Sequence, residues 1–128
     1  MVDERQPAVV GVIEDDAVAR SALGRLLQAG GFEPVLFESA ETFVASPRTR
    51  KWLCLIVDVQ LIGMSGIDLQ RMLRAIDCDV PVISITGNRA DTIREQAEQA
   101  GCVAFLWKPF SGETILSLLG GLARDART

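Results

Sequence analysis

The stretch CLIVDVQ, residues 54–60, ends a continuous apolar run with a carboxylate, Asp58. An apolar run without alternation is typical of a strand whose two faces are both covered, as in a parallel sheet. A carboxylate at the end of such a strand costs free energy unless a cation or hydrogen-bond donors compensate its charge. Asp58 is therefore the first side chain in this sequence that needs a functional explanation.

Short β-type runs alternate with amphipathic segments along the whole chain. The predicted strands are 9–13, 34–37, 53–57, 82–86 and 103–106. Helices are predicted between them, because apolar residues recur there at helical spacing. Five such repeats with right-handed crossovers predict a doubly wound parallel α/β sheet in a single domain.

Capping residues and apolar spacing define the predicted helices. Asp16, Ser39 and Ser111 are predicted N-caps, and Gly101 ends a polar helix over 90–100. In the first helix, apolar residues recur at helical spacing at Val18, Ala22, Leu26 and Ala29. The third helix is predicted to have Leu69, Met72 and Leu73 on one face, and the last to turn Ile115, Leu118, Leu119 and Leu122 inward. The segment ARDART, 123–128, is predicted to be a polar tail.

Composition excludes several classes of protein. With 128 residues, 48% of them apolar, the chain has the length and core of one domain, and no apolar stretch approaches the roughly 20 residues of a membrane span. The polar N-terminus does not resemble a secretory signal, so a cytoplasmic location is expected. The net charge of −4 argues against direct nucleic-acid binding.

The cysteine and histidine content limits the nucleophiles and metal ligands that this sequence offers. Three scattered cysteines suit reduced thiols, with Cys54 and Cys102 expected in the core and Cys78 in a loop. The chain contains no histidine. Histidine-based triads, histidine zinc ligands and a phosphohistidine carried by this chain are therefore excluded.

Polar residues follow four of the predicted strands. They are Glu14, Asp15 and Asp16 after the first strand, Asp58 after the third, Thr86 at the end of the fourth and Lys108 after the fifth. Because functional crevices of open α/β sheets lie at the carboxyl ends of the strands, these groups should converge. Clustered carboxylates repel one another and favour a cation, and an oxygen-only ligand set favours Mg²⁺.

A nucleotide-binding domain would place glycines after the first strand, where this chain has GVIEDDAVA without G-x-G-x-x-G. We therefore expect a site that binds a metal first, and phosphate only through that metal and Lys108.

Four motifs together resemble a known family. They are ED after the first strand, DVQLIGMSG after the third, ITG at the end of the fourth and FLWKPF around the fifth. Over about residues 8–124 the chain resembles the receiver domain of two-component response regulators, most closely the FixJ-like branch. The resemblance implies a flavodoxin-like (βα)5 fold with strand order 2-1-3-4-5 and one receiver domain over 1–128.

The resemblance also implies residue roles around one Mg²⁺ ion. Asp58 would accept a phosphoryl group and bind the metal, and Asp15 would be the direct metal ligand of the acidic pair. Glu14 would act mainly through water, and the main-chain carbonyl of Gln60 would complete the protein's ligands. Lys108 would contact a phosphoryl oxygen.

A conformational output is implied as well. Thr86 would be the switch hydroxyl and Phe105 the switching aromatic, with plain core packing an equal alternative for Phe105. The peptide bond between Lys108 and Pro109 would be cis. The fourth helix, fifth strand and fifth helix would form the surface that changes, and this surface could support a homodimer.

Partners follow from the same resemblance and from the missing histidine. The phosphoryl group would come from a sensor histidine kinase or a phosphotransfer protein, with a small-molecule donor as the lesser alternative. The chain would take part in its own phosphorylation without being a turnover enzyme. A DNA-binding output domain, if the protein has one, would lie outside this sequence; otherwise the chain would act alone through protein contacts.

Other interpretations of Asp58 and of the whole chain remain open, and some residues differ from the family's pattern. Asp58 on its own could be a cap or an ion-pair partner, and the whole chain could be a degenerate receiver used as a binding module. An aspartate-nucleophile phosphohydrolase is disfavoured, because Gln60 replaces the acid such enzymes carry two residues after the nucleophile. Ile62 stands where the family has proline, which predicts a more mobile loop. Trp107 is large for its position and could cover the pocket or meet a partner.

Overall fold

The computed structural model describes residues 6–47 and 50–127, in which five strands and five helices alternate. The strands are β1 (Val9–Ile13), β2 (Glu33–Phe37), β3 (Trp52–Asp58), β4 (Val82–Thr86) and β5 (Ala104–Trp107). The helices are α1 (Ala17–Ala29), α2 (Ala40–Ala45), α3 (Gly66–Ala75), α4 (Asp91–Gln99) and α5 (Gly112–Arg127). The strands form a parallel sheet in the order β2-β1-β3-β4-β5, which confirms the predicted flavodoxin-like α/β fold.

Alternation along the central strands divides the core into two layers. On one face, Val10 and Val12 of β1 and Cys54 and Ile56 of β3 pack against α1 and α5. On the other face, Ile13 of β1 and Leu55 and Val57 of β3 pack against α2 and α3. Because successive side chains of a strand point to opposite faces, one continuous apolar run fills both layers.

The predicted caps begin their helices. The Asp16 side chain accepts hydrogen bonds from the main-chain N–H groups of Val18 (2.9 Å) and Ala19 (3.3 Å). Ser39 accepts one from Thr42 N at 3.0 Å. Ser111 accepts one from Thr114 N at 3.3 Å. These bonds satisfy N–H groups that have no partner within the helix itself.

The residues whose spacing predicted α1 are not the ones that this helix buries. Val18 is 77% exposed, Ala22 and Ala29 are exposed, and Leu26 is half-buried, whereas the buried residues are Leu23, Gly24 and Leu27. Small and apolar residues occur around most of this helix, so their spacing does not decide which face meets the sheet. Docking against β1 and β2 decides it.

The predicted tail at 123–128 is also wrong. Helix α5 continues to Arg127, and Thr128 lies outside the described residues. Ala, Arg and Asp do not interrupt a helix, and no glycine or proline follows Gly121 to end it. The inward residues of this helix are as predicted, since Ile115 and Leu119 are fully buried and Leu118 and Leu122 pack against them.

Pairing between strands fixes where the functional edge lies. Ile13 of β1 pairs with Val57 of β3, so that Glu14 and Asp58 leave the sheet at the same level. Asp58 pairs with Ile85, and Thr86 pairs with Trp107 next to Lys108. The carboxyl ends of four strands therefore meet at one edge of the sheet.

In the described part of the chain, no helix has the length and hydropathy needed to cross a membrane.

Candidate functional site

Three carboxylates meet at the carboxyl edge of the sheet. One oxygen from each of Glu14, Asp15 and Asp58 lies within 4.8 Å of the other two, a spacing that could hold a metal ion. Glu14 is 1% exposed and Asp58 is 5% exposed, so both charges are largely withdrawn from solvent. Oxygen-only ligands at this spacing suit a hard divalent cation such as Mg²⁺.

Lys108 brings the positive charge to this cluster. Its Nζ donates a hydrogen bond to Asp58 Oδ2 at 2.8 Å and a second one to Glu14 Oε1. The main-chain N–H of Lys108 donates to the carbonyl of Thr86 at 2.8 Å, which anchors the lysine to the end of β4. The peptide bond between Lys108 and Pro109 is cis.

Main-chain N–H groups also donate hydrogen bonds to the carboxylates. Gln60 N donates to Asp58 Oδ1 at 2.8 Å, and Asp16 N donates to Glu14 Oε2 at 3.3 Å. Ile62 N donates to Asp15 Oδ2 at 3.2 Å. Each of the three carboxylates in the cluster thus accepts at least one hydrogen bond from the main chain.

Burial and neighbouring charge change the titration of this site. Burial raises the pKa of Glu14, and the nearby Asp58 raises it further, while the hydrogen bond from Lys108 acts in the opposite direction. Burial alone would lower the pKa of Lys108, but its bonds to Asp58 and Glu14 outweigh burial and raise it. Lys108 therefore remains cationic at neutral pH beside the carboxylates.

Thr86 and Phe105 lie next to this cluster, toward α4. Thr86 is fully buried, and its hydroxyl oxygen accepts a hydrogen bond from Asn88 N at 3.1 Å. Phe105 is half-buried and packs against a buried cluster that includes Ala97 of α4 and Val59. The structure thus brings the predicted switch pair to the border between the site and α4.

Trp107 occupies the surface beside Phe105. The two rings meet edge to face with centroids 5.5 Å apart. The guanidinium groups of Arg89 and Arg94 lie 5.3 and 5.4 Å from the indole centroid, within the range of cation–π attraction. Trp107 therefore ties β5 to the loop before α4 and to α4 itself.

Sequence reasoning missed one side chain of this site. Arg20 of α1 donates to the main-chain carbonyls of Glu14 (2.8 Å) and Asp15 (3.5 Å), which fixes the backbone that carries the acidic pair. A cation in the first turn of a helix opposes the helix dipole, so the position of Arg20 was the signal that a nearby acceptor compensates it.

Comparisons with known proteins agree with this geometry. A family model described as the response regulator receiver domain matches residues 10–119. Nodulation protein W of Bradyrhizobium diazoefficiens is 36% identical over 121 residues, covering 94% of this chain and 53% of that protein. The transcriptional regulatory protein FixJ of the same organism is 31% identical, covering 90% of this chain and 56% of that protein.

A solved structure gives the same result for the fold. The crystal structure of FixJ-N is 31% identical and superposes with a TM-score of 0.84, covering 93% of this chain and 95% of that one. The fold and the acidic edge together define a doubly wound α/β domain of the signalling type. The chain belongs to the response regulator receiver domain family of two-component systems. It spans about half the length of the two relatives named above.

Proposed function

We propose that this chain accepts a phosphoryl group on Asp58 and converts that modification into a change of its surface. The observation that supports this most directly is the position of Asp58. Its carboxylate lies between Lys108 Nζ at 2.8 Å and the Gln60 N–H at 2.8 Å, within reach of the oxygens of Glu14 and Asp15. A fixed carboxylate among such groups is equipped to act as a nucleophile.

In the transfer step, an oxygen of Asp58 forms a bond to phosphorus. The bond between phosphorus and the imidazole nitrogen of a phosphohistidine breaks, and the imidazole leaves with the electron pair. Because these 128 residues contain no histidine, we assign that phosphohistidine to a histidine kinase or a phosphotransfer protein. Lys108 offsets the charge on the transferred oxygens, which is the main demand of phosphoryl transfer.

We assign Mg²⁺ to the cluster on the chemistry of its donors. Asp15 and Asp58 would bind the cation directly, Glu14 through water, and Gln60 through its main-chain carbonyl. When bound, the cation would neutralise charge on the phosphoryl oxygens and on the crowded carboxylates. In the described structure, Lys108 is the only cationic side chain bonded to these three carboxylates. The cluster therefore carries the excess negative charge that such an ion requires.

The output is assigned to α4, β5 and α5. A phosphoryl group on Asp58 would offer acceptor oxygens to the Thr86 hydroxyl, and an inward shift of Thr86 would leave space for Phe105. Because Phe105 also packs against α4, this movement would alter the α4–β5–α5 surface. That surface would then change its partners, including a second copy of the chain.

The relatives suggest what the output controls. FixJ is a transcriptional regulatory protein, and the present chain corresponds to 56% of its length. We propose that the output is control of transcription through a DNA-binding domain outside this chain, with contacts to other proteins as the outcome if the chain acts alone. Direct binding of nucleic acid by these residues is not part of the proposal, given the net charge of −4.

Phosphorylation with acetyl phosphate and Mg²⁺ tests the proposal. Intact-protein mass spectrometry should detect one phosphoryl group on the wild type and none on Asp58→Asn. Asp79→Asn, at an exposed loop position, is the matched control and should label like the wild type. Labelling of Asp58→Asn at the wild-type level would reject Asp58 as the acceptor, and an unlabelled wild type would favour a binding module.

A further inference from the structure

The loop that connects β3 to α3, residues 59–65, holds three carboxylates with alternate main-chain N–H groups. The bonds are Gln60 N to Asp58 Oδ1 (2.8 Å), Ile62 N to Asp15 Oδ2 (3.2 Å) and Met64 N to Glu41 Oε2 (3.0 Å). Only the middle bond joins this loop to the acidic pair that follows β1. It links residues that are 47 positions apart in the chain.

The contribution of Ile62 comes from its main chain. Its side chain is 85% exposed and therefore adds little to the core. A proline at this position would have no N–H to donate. The bond to Asp15 thus depends on the absence of proline at position 62, the same feature that sequence reasoning associated with a mobile loop.

We propose that the main-chain N–H of Ile62 is a positioning group for Asp15, which it holds ready to receive a divalent cation. The inference rests on the proposed function, in which Asp15 is a metal ligand. The bond occupies one lone pair of Oδ2 and leaves Oδ1 and the other lone pair of Oδ2 for a ligand.

One physical effect supports the direction of this inference. The bond from Ile62 N restricts the orientation of the Asp15 side chain, so less conformational entropy is lost when the cation binds. Hydrogen bonds to ligating carboxylates typically change metal affinity by about 10- to 100-fold.

Two substitutions at position 62 distinguish the contribution of the main-chain N–H from that of the side chain. Ile62→Pro removes the donor, and Ile62→Ala removes most of the side chain but keeps the donor. Mg²⁺ dissociation constants are to be obtained from the rise of Tm with Mg²⁺ concentration. We expect Ile62→Pro to bind Mg²⁺ about tenfold more weakly than the wild type, and Ile62→Ala to bind it like the wild type.

The outcomes distinguish this inference from the proposed function. Equal affinities in all three proteins, tighter binding by Ile62→Pro, or equal losses in both variants would overturn the inference alone. A wild type whose Tm does not respond to Mg²⁺ would reject the metal site and the inference with it.

A second measurement covers the case in which Ile62→Pro does not fold. Hydrogen exchange of the Ile62 amide should be slowed in the wild type, both without and with Mg²⁺, and should become several-fold faster in Asp15→Ala. Rapid exchange at Ile62 in the wild type, or an unchanged rate in Asp15→Ala, would overturn the proposed contact.

Discussion

At the scale of single residues, Glu14 shows how burial and a neighbouring cation act together on one carboxyl group. The glutamate side chain reaches Lys108, and burial raises its pKa above the ordinary value of 4.5. A carboxyl group whose pKa is raised by folding favours the folded state when protonated, and this contribution is lost as the pH rises through the folded pKa. Ionisation of Glu14 therefore costs more free energy in the folded protein than in the unfolded chain.

We expect Glu14→Gln to have a higher free energy of unfolding than the wild type at pH 7 in buffer without divalent cations, because the neutral amide has no charge to bury. The gain should shrink as the pH falls toward 4.5, because wild-type Glu14 is then protonated as well. Urea denaturation at a series of pH values provides the measurement. A variant less stable than the wild type at pH 7 would mean that the ion pair with Lys108 outweighs the burial cost.

Glu41 provides the control for the sign of this effect. The hydrogen bond from Met64 N lowers the pKa of Glu41, so the stability it contributes is present at neutral pH and is lost as the pH falls below its ordinary value of 4.5. Glu41→Gln should therefore change the pH dependence of stability in the direction opposite to Glu14→Gln.

At the scale of elements, the junction of β3 and α3 depends on Gly66. A Cβ atom at this position would lie 2.2 Å from the main-chain oxygen of Asp58 and 2.9 Å from a methyl of Val57. The obstacle is backbone, which cannot rotate away as a side-chain end could. The first residue of α3 must therefore be glycine for the helix to begin this close to the phosphorylation candidate.

We expect Gly66→Ala to lower the free energy of unfolding by about 1–3 kcal/mol, the usual cost of overpacking. It should also slow labelling of Asp58, because the loop that carries it must shift. Gly120→Ala, in α5, is the matched control: its new Cβ would meet only Arg124, at 3.7 Å. That variant should be as stable as the wild type or up to about 1 kcal/mol more stable. Comparable destabilisation by both changes would contradict the role given to Gly66.

At the scale of the whole molecule, one sheet separates two apolar layers that share its central strands. Trp52, at the start of β3, packs against the layer formed with α2 and α3. Trp107 is the last residue of β5 and lies near the functional edge. Since β1 and β3 contribute side chains to both layers, neither layer can lose its packing while the other keeps its strands. The domain should unfold as one unit.

Single-tryptophan variants test this cooperativity. Trp107→Phe leaves Trp52 as the reporter, and Trp52→Phe leaves Trp107. In each variant, the urea midpoint measured by fluorescence should coincide with the midpoint measured by far-UV circular dichroism, with a slope of about 1–3 kcal/mol/M. An earlier transition at Trp107 alone would indicate that the functional edge unfolds before the core.

The sequence by itself determined the alternation of strands and helices, the caps at Asp16, Ser39 and Ser111, and the polar residues at the strand ends. These features are local: they depend on apolar spacing and on backbone N–H groups a few residues away. Strands 9–13 and 82–86 have the predicted bounds, whereas the strand predicted at 103–106 is shifted by one residue to Ala104–Trp107. That shift reflects pairing of Trp107 with Thr86, a partner distant in the chain.

Only the tertiary structure decided the face that α1 buries, the contact of Lys108 with both Glu14 and Asp58, and the bond from Ile62 to Asp15. The face that a helix buries depends on the shape of the sheet against which it packs. A main-chain N–H donor such as that of Ile62 is present in every residue except proline, so the residue type does not reveal its partner. The charges that meet at the functional edge come from segments far apart in the chain. Their distances and pKa values are therefore properties of the assembled sheet.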